Sequence, residues 1–386
     1  MKSKPNWNET QERFIEWWKG DLHESPLVSL IVKRDTPTEP LEPEVASFLS
    51  NEASHIAGAT AAKTEIEYGP GEHYFSDMPA VLTRFRNSMR MSNYALDSYP
   101  SLDLNFGPGS LALYMGCEPK FSPETVWFNP CVHDSWENYP LVYDKDNYWW
   151  KEHFRVLKEA QDSAKGEFLV NIPDIVENMD ILAAMRNPEI LCIDMLDEPD
   201  IIKKRLEELN DLFFQYYDAI YNLTKGADGS SSFTAFRIWG PGKTCKVQCD
   251  FNVLMSPDHF REFVCPTLSQ QCEKLDNTIF HLDGPDAIRH AKALMEIPSL
   301  TGLQWTPGAG NPDGGDERWY PLYDKVFEAG KVLWVYFEDA PVDTLICKAK
   351  NLVNRYGVKG LYINVMPELN EKDGDIFIKA AAKGFK

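Results

Sequence analysis

Apolar positions follow two regimes along the chain. In the second half, short apolar runs alternate with longer stretches where apolar residues return every three or four positions. The runs at 168–171, 233–239, 246–249, 278–281, 302–305, 332–337 and 360–363 predict strands. The stretches at 175–186, 198–225, 257–275, 284–296, 340–356 and 371–383 predict helices between them. A further run, Ile190-Leu191-Cys192-Ile193, also reads as a strand. Nearer the N-terminus, residues 6–19 predict an amphipathic helix with Trp7, Phe14, Trp17 and Trp18 on one face and Gly20 as its stop. Residues 26–32 predict a strand, and 36–44, with three prolines, a loop. From 45 to 160 the pattern mixes short helices with aromatic-rich turns, and no repeat is present.

Strand–helix alternation implies a parallel sheet with crossover helices. Eight to ten strand candidates suit a closed barrel better than an open sheet. The expected fold is therefore α/β: a single (β/α)8 TIM barrel spanning 1–386, with 1–25 as an N-terminal helical extension. A doubly wound sheet is the alternative, although no GxGxxG follows a first strand. Gly240-Pro241-Gly242-Lys243 also fails the spacing of a phosphate loop.

Composition narrows the function. With 43% hydrophobic and 25% charged residues the chain is an ordinary folded protein. A net charge of −20 repels nucleic acid and anionic membrane surfaces, so neither is an expected partner. No run of 18 apolar residues and no secretory signal occur. Eight scattered cysteines without a CxxC pair read as reduced, buried thiols. A cytoplasmic protein is the expectation, with a homodimer left open.

The residues after each apolar run carry the candidate chemistry. In a barrel, the C-terminal strand ends share one mouth. They would bring together Asn171, Asp174, Asp194, Trp239, Asp250, His281, Asp283, Trp305, Glu338 and Asn364. Asp174 and Asp194 read first as caps of the helices that follow. His281 and Asp283 lie two apart at a strand exit, so both side chains take one face. An imidazole beside a carboxylate can serve as base, acid or metal ligand. Trp239, Trp305 and Tyr336 fall at or near strand ends, as core residues or as pocket walls.

The segment 255–266, Met255-Ser256-Pro257-Asp258-His259-Phe260-Arg261-Glu262-Phe263-Val264-Cys265-Pro266, resembles the LSPexFrEFvxP segment of uroporphyrinogen decarboxylases and their relatives, the cobalamin-dependent methyltransferases. Ile279–Gly284, Gly302–Trp305 and Tyr362–Pro367 resemble the strands that follow it there, and Asp180–Arg186 and Asp197-Glu198-Pro199 also look familial. The likeness runs from about 165 to the end. It implies one (β/α)8 barrel whose first strands lie near the N-terminus, so 190–193 drops out as a barrel strand. Departures matter as much. The decarboxylases' arginine motif is absent after 26–32, where only Arg34 stands, and the histidine of their last strand is replaced around Asn364. The methyltransferases' His-x-Cys zinc motif is His281-x-Asp283 here, and no later cysteine completes it.

The resemblance thus implies a methyltransferase-like enzyme moving a methyl group between a small substrate and a corrinoid on a partner protein, or another acceptor. His281 and Asp283 would bind zinc with Glu338 or act as acid and base. Asp250 and Glu338 would extend the polar wall, and Trp239, Trp305, Tyr336 and Asn364 would bind substrate. Zinc, a carried corrinoid and no cofactor at all remain alternatives. A decarboxylase-type lyase, with Asp250 or Asp283 holding the substrate's nitrogens, is the second reading. A catalytically silent binding barrel is the third.

Overall fold

The computed structural model describes residues 1–43, 77–121, 126–176, 178–233 and 236–386. Part of the 36–44 loop and most of the first third of the 45–160 region lie outside them. Helix α1 (Trp7–Trp18) ends at Gly20, whose φ of +65° suits glycine. Strand β1 (Leu27–Lys33) follows, then α2 (Met78–Met91), β2 (Ser92–Leu96), β3 (Ser101–Leu102), α3 (Leu111–Tyr114), and the hairpin β4 (Glu118–Phe121) with β5 (Val126–Asn129). Next come α4 (Tyr148–Ala164), β6 (Leu169–Val170), α5 (Asn178–Arg186), α6 (Pro188–Asp197) and the long α7 (Pro199–Thr224). The remaining strands are β7 (Ser231–Phe233), β8 (Ile238–Gly240), β9 (Thr244–Gln248), β10 (Asn277–Asp283), β11 (Gly302–Thr306), β12 (Val332–Phe337) and β13 (Leu361–Val365), with helices between and after them.

Seven strands form one sheet in the order β2-β1-β13-β12-β11-β10-β9. Every pairing is parallel except β1 with β2. Strands β3 and β6 pair in parallel beside it, and a bridge from Ile172 to Phe233 continues that run to β7. The architecture is mixed α/β with a parallel central sheet. Among the described residues the ladder does not close on itself, so the expected barrel is met here only as an open sheet with short neighbouring pairs.

Two strand expectations are corrected. The run at 233–239 is not one strand. Arg237 takes a left-handed φ of +51° and turns the chain back, giving the antiparallel hairpin β7–β8. The run at 190–193 is helical. Pro188 opens α6 and the Asn187 side chain accepts the Glu189 N–H at 2.9 Å, so a capped first turn overrides a short β-favouring run.

One end of the sheet is closed by aromatic rings. Trp17 and Phe14 of α1 are fully buried, and Trp17 Nε1 donates to Gly360 O just ahead of β13. Trp18 Nε1 donates to Trp239 O at 2.8 Å. Trp7 packs on Tyr99 and Trp239 with ring centres 5.2 and 5.6 Å apart. Arg13 pairs with Asp97, which in turn accepts the Val28 N–H, so α1 is also tied to β1 through charge. This plug sits where the parallel strands begin.

Candidate functional site

The opposite end of the same strands is polar. On β9, Cys245, Val247 and Cys249 turn one way and are buried to 1% exposure or less, while Lys246 and Gln248 turn the other. Continuing that alternation brings Asp250 to the same face. On β10 the matching face carries His281 and Asp283, and Phe280 and Leu282 fill the other side. Register aligns His281 with Gln248 on β9 and with Gln304 on β11.

His281 is held on both sides. Gln304, fully buried, donates its Nε2 to Thr306 Oγ1 at 2.9 Å, which leaves Oε1 to accept from His281 Nδ1. With the Gln304 amide in this orientation Nδ1 carries the proton, and Nε2, 3.9 Å from Asp250 Oδ1, is left as the acceptor. The Phe236 ring lies against the imidazole at 5.2 Å. Burial, with the nearby Lys246 ammonium, holds the His281 pKa below its usual value against the opposing pull of Gln304, Asp283 and Asp174.

Lys246 is 2% exposed and pairs with Asp174 at 2.5 Å while also donating to Gln248 Oε1. A buried ammonium without such a partner would be strongly unfavourable. Gln248 Nε2 donates at 3.1 Å to both Asp250 Oδ2 and Asp180 Oδ2. Asp180, on the first turns of α5, accepts the backbone N–H groups of Asp250 and Phe251 at 2.9 and 2.8 Å. Asn178 Nδ2 donates to Gln248 O at 2.7 Å. The start of α5 thus clamps the end of β9.

Carboxylate crowding raises two acids. Asp250 is pushed up to about 6 by burial and by Asp283 and Asp174, with Lys246 and Gln248 opposing. Half of its side chain is reachable by solvent, so crowding is the firmer cause. Asp180 also rises to about 6, through burial and the Asp250 charge. Tyr336 rises to about 12 through burial, Glu338 and Asp283.

Tyr336 and Asn364 lie side by side in register, and the pairing of Gln304 with Trp334 puts both on the sheet face that carries His281. Asn364 is 1% exposed, donates to Met366 Sδ, and its Oδ1 has no partner among the described residues. Trp305 is on the other face of β11, packed against Trp319 at 5.0 Å, and so is a core residue rather than a pocket wall. Trp239 belongs to the aromatic plug at the far end. Glu338 is exposed just past β12, its N–H bonded to Asp313. Asp174 and Asp194 are not caps: one pairs with Lys246, the other accepts from Trp136 and Arg186.

The expected zinc set does not fit this arrangement. His281, Asp283 and Glu338 are not gathered, and among the described residues no three His, Cys, Asp or Glu side chains form a metal-holding group. Cys245 and Cys249 face away, and the Lys246 ammonium repels a cation beside His281.

Lys246, Gln248, Gln304, Asp180 and Arg237 were not read as site residues from the sequence, although Asp180 and Gln304 lie in segments that carry the family resemblance. A signal existed for the first two: Lys246-Val247-Gln248-Cys249-Asp250 alternates polar and apolar residues with period two. Arg237 had none, because its position follows from the hairpin turn. Its Nη1 lies 3.4 Å from Ser29 Oγ, and no carboxylate pairs with it among the described residues. Tyr362 OH and Trp334 Nε1 pin the backbone carbonyls of Arg237 and Phe236 at 2.8 and 3.0 Å.

No family model and no curated protein match the chain. A methyltransferase from Methanosarcina mazei shares its fold. That solved structure aligns with a TM-score of 0.62 over 98% of this chain and 99% of its own, at 12% identity. The Methanosarcina methyltransferase is thus matched from end to end, and at this identity the likeness is one of fold. Among the described residues no helix is long and apolar enough to cross a membrane.

Proposed function

We propose that the protein is a methyltransferase-type enzyme on a (β/α)8 scaffold, formed by one domain. It would transfer a methyl group between a small substrate and an acceptor, which is either a second small molecule or a corrinoid presented by a partner protein. The observation that carries this reading is the placement of His281, held at Nδ1 by Gln304 with Nε2 3.9 Å from Asp250 Oδ1. Methyl transfer to a neutral nucleophile forms a nucleophile–carbon bond, breaks the bond from carbon to the donor, and leaves a proton to be removed. His281 Nε2 would take that proton, and Asp250 would stabilise the imidazolium that results. Burial and Lys246 lower the His281 pKa, which favours the neutral imidazole such a base requires.

The methyltransferase neighbour supports the reaction class, and the polar end of the strands supports the residues. Supplying the protein with carbon-13-labelled methylcobalamin and a series of small thiols and amines, with products followed by NMR, tests it. Labelled product from wild type, falling at least a hundredfold in His281→Ala, is expected. Equal turnover by His281→Ala would remove the role assigned to this base.

Arg237 favours a second reading. A guanidinium with no carboxylate partner among the described residues suits a substrate that carries one, as a decarboxylase-type lyase requires. Uroporphyrinogen itself is not expected to react, because the chain lacks the N-terminal arginine motif. Coproporphyrinogen formation by the purified protein would contradict that expectation.

A further inference from the structure

Cys117 directly precedes β4, and Cys131 lies two residues beyond β5, so the pair spans the open base of this hairpin. Their backbones are anchored separately, Cys117 N–H to Ala112 O at 3.0 Å and Cys131 N–H to Met185 O at 2.9 Å. The two Sγ atoms stand 3.5 Å apart. Closing to the roughly 2.05 Å of a disulfide requires only about 1.5 Å of approach, within reach of side-chain rotation. The two thiols differ in access. Cys131 is partly exposed. Cys117 is 1% exposed and lines a cleft of about 340 Å³ with Leu113, Gly116, Asn147 and Trp149.

We propose that Cys117 and Cys131 form a reversible dithiol–disulfide site, oxidised by low-molecular-weight disulfides such as oxidised glutathione. The Cys131 thiolate attacks one glutathione sulfur, forms a mixed disulfide and expels glutathione thiolate. Cys117 Sγ then loses its proton to solvent and attacks the Cys131 sulfur, expelling the second glutathione. Two protein thiols and one glutathione disulfide become one protein disulfide and two glutathione thiols, so electrons and protons balance. The order of attack follows from access and from charge. The Cys117 S–H donated toward Cys131, and a further contribution from Tyr139, outweigh burial and lower the Cys131 thiol to about 7, while Cys117 is pushed up by the same hydrogen bond and by burial.

The site touches the proposed active end through packing. Cys117 Sγ lies 3.7 Å from Ala184 O, on the helix whose first turns carry Asp180. The proposal does not depend on the methyltransferase reading, since its test reads thiol chemistry alone.

Full-length wild-type protein is equilibrated in buffers of varied oxidised and reduced glutathione at pH 7.5, quenched with an alkylating reagent and mapped by peptide mass. A Cys117–Cys131 linked peptide is expected, lighter by two hydrogens and reversed by excess reduced glutathione. Near-ultraviolet circular dichroism on the same samples should stay native throughout. Cys117→Ser should accumulate a glutathione adduct on Cys131, and Cys131→Ser should form neither the link nor an adduct on Cys117. The proposal is overturned if both cysteines of the wild type remain alkylatable across the series. It is also overturned if the link forms only as native dichroism is lost, or if Cys131→Ser traps its adduct on Cys117. The wild-type measurement decides the matter even where a variant fails to fold.

Discussion

The two ends of the central sheet are built from the same strands and behave as opposites. Where the strands begin, α1 and its neighbours stack Trp7, Phe14, Trp17, Trp18, Tyr99 and Trp239, with each buried indole N–H of Trp17 and Trp18 spent on a backbone carbonyl. Where they end, Lys246, Gln248, Asp250, His281 and Gln304 form a chain of polar contacts in which several charges share few counter-charges. The far end bonds the Trp17 and Trp18 indoles to backbone carbonyls and gains from apolar burial. The polar end keeps carboxylates at raised pKa and a histidine whose pKa is held below its usual value. Packing dominates at one end and charge at the other, the division expected where candidate binding groups sit on a rigid support.

Trp17→Ala should show the largest effect. It removes a fully buried indole and its bond to Gly360 O, and a loss of about 4 kcal/mol is expected, measured by urea unfolding. The folded fraction should keep the His281 NMR resonances of wild type. Altered His281 signals would mean that the two ends are coupled and would break the comparison.

Lys246→Met comes next. It strands the Asp174 carboxylate in a site only 7% exposed, at an expected cost of about 3 kcal/mol. It also removes a positive charge beside His281 and Asp250, so both pKa values should rise, the histidine by proton NMR titration and the acid by carbon-13 NMR. Unchanged titrations would separate Lys246 from the site.

Asp250→Asn should show the smallest effect on stability and sharpens the electrostatic contrast. The folded-state pKa of Asp250, about 6, lies above its ordinary value of 3.8. The folded protein therefore binds more protons than the unfolded chain between these values, and this residue's contribution to stability falls as pH rises from about 4 to about 6. Replacing it should leave stability near pH 4 unchanged and raise it above pH 6. Because half the side chain is solvent-reachable, the gain should be only about 1 kcal/mol. A variant less stable than wild type at pH 8 would show that the carboxylate stabilises the fold.

The parallel strands β9 to β13 were legible because apolar runs bounded by turns and helical periods survive in any surroundings. The facing of His281 and Asp283 followed from strand parity alone. Trp305 misled for the complementary reason: a residue at a strand end has two faces to choose from, and the Trp319 ring sets which one is core. Trp239 misled because a hairpin, turned by Arg237, reverses the chain just before it. Gln304 was hidden inside a buried apolar run, and its role depends on a neighbour 23 positions earlier. Charge partners such as Lys246 and Asp174, 72 positions apart, need the fold before they can be paired.

The protonation state of His281 tests the central claim most directly. Long-range proton–nitrogen-15 correlation of the free protein at pH 7, with the His281 signals assigned by comparison with His281→Gln, reports charge and tautomer together. A neutral imidazole protonated on Nδ1, with a titration midpoint below the usual histidine value, is predicted. An imidazolium at pH 7, or a proton on Nε2, would contradict the account, because no lone pair would then face Asp250 to receive a proton.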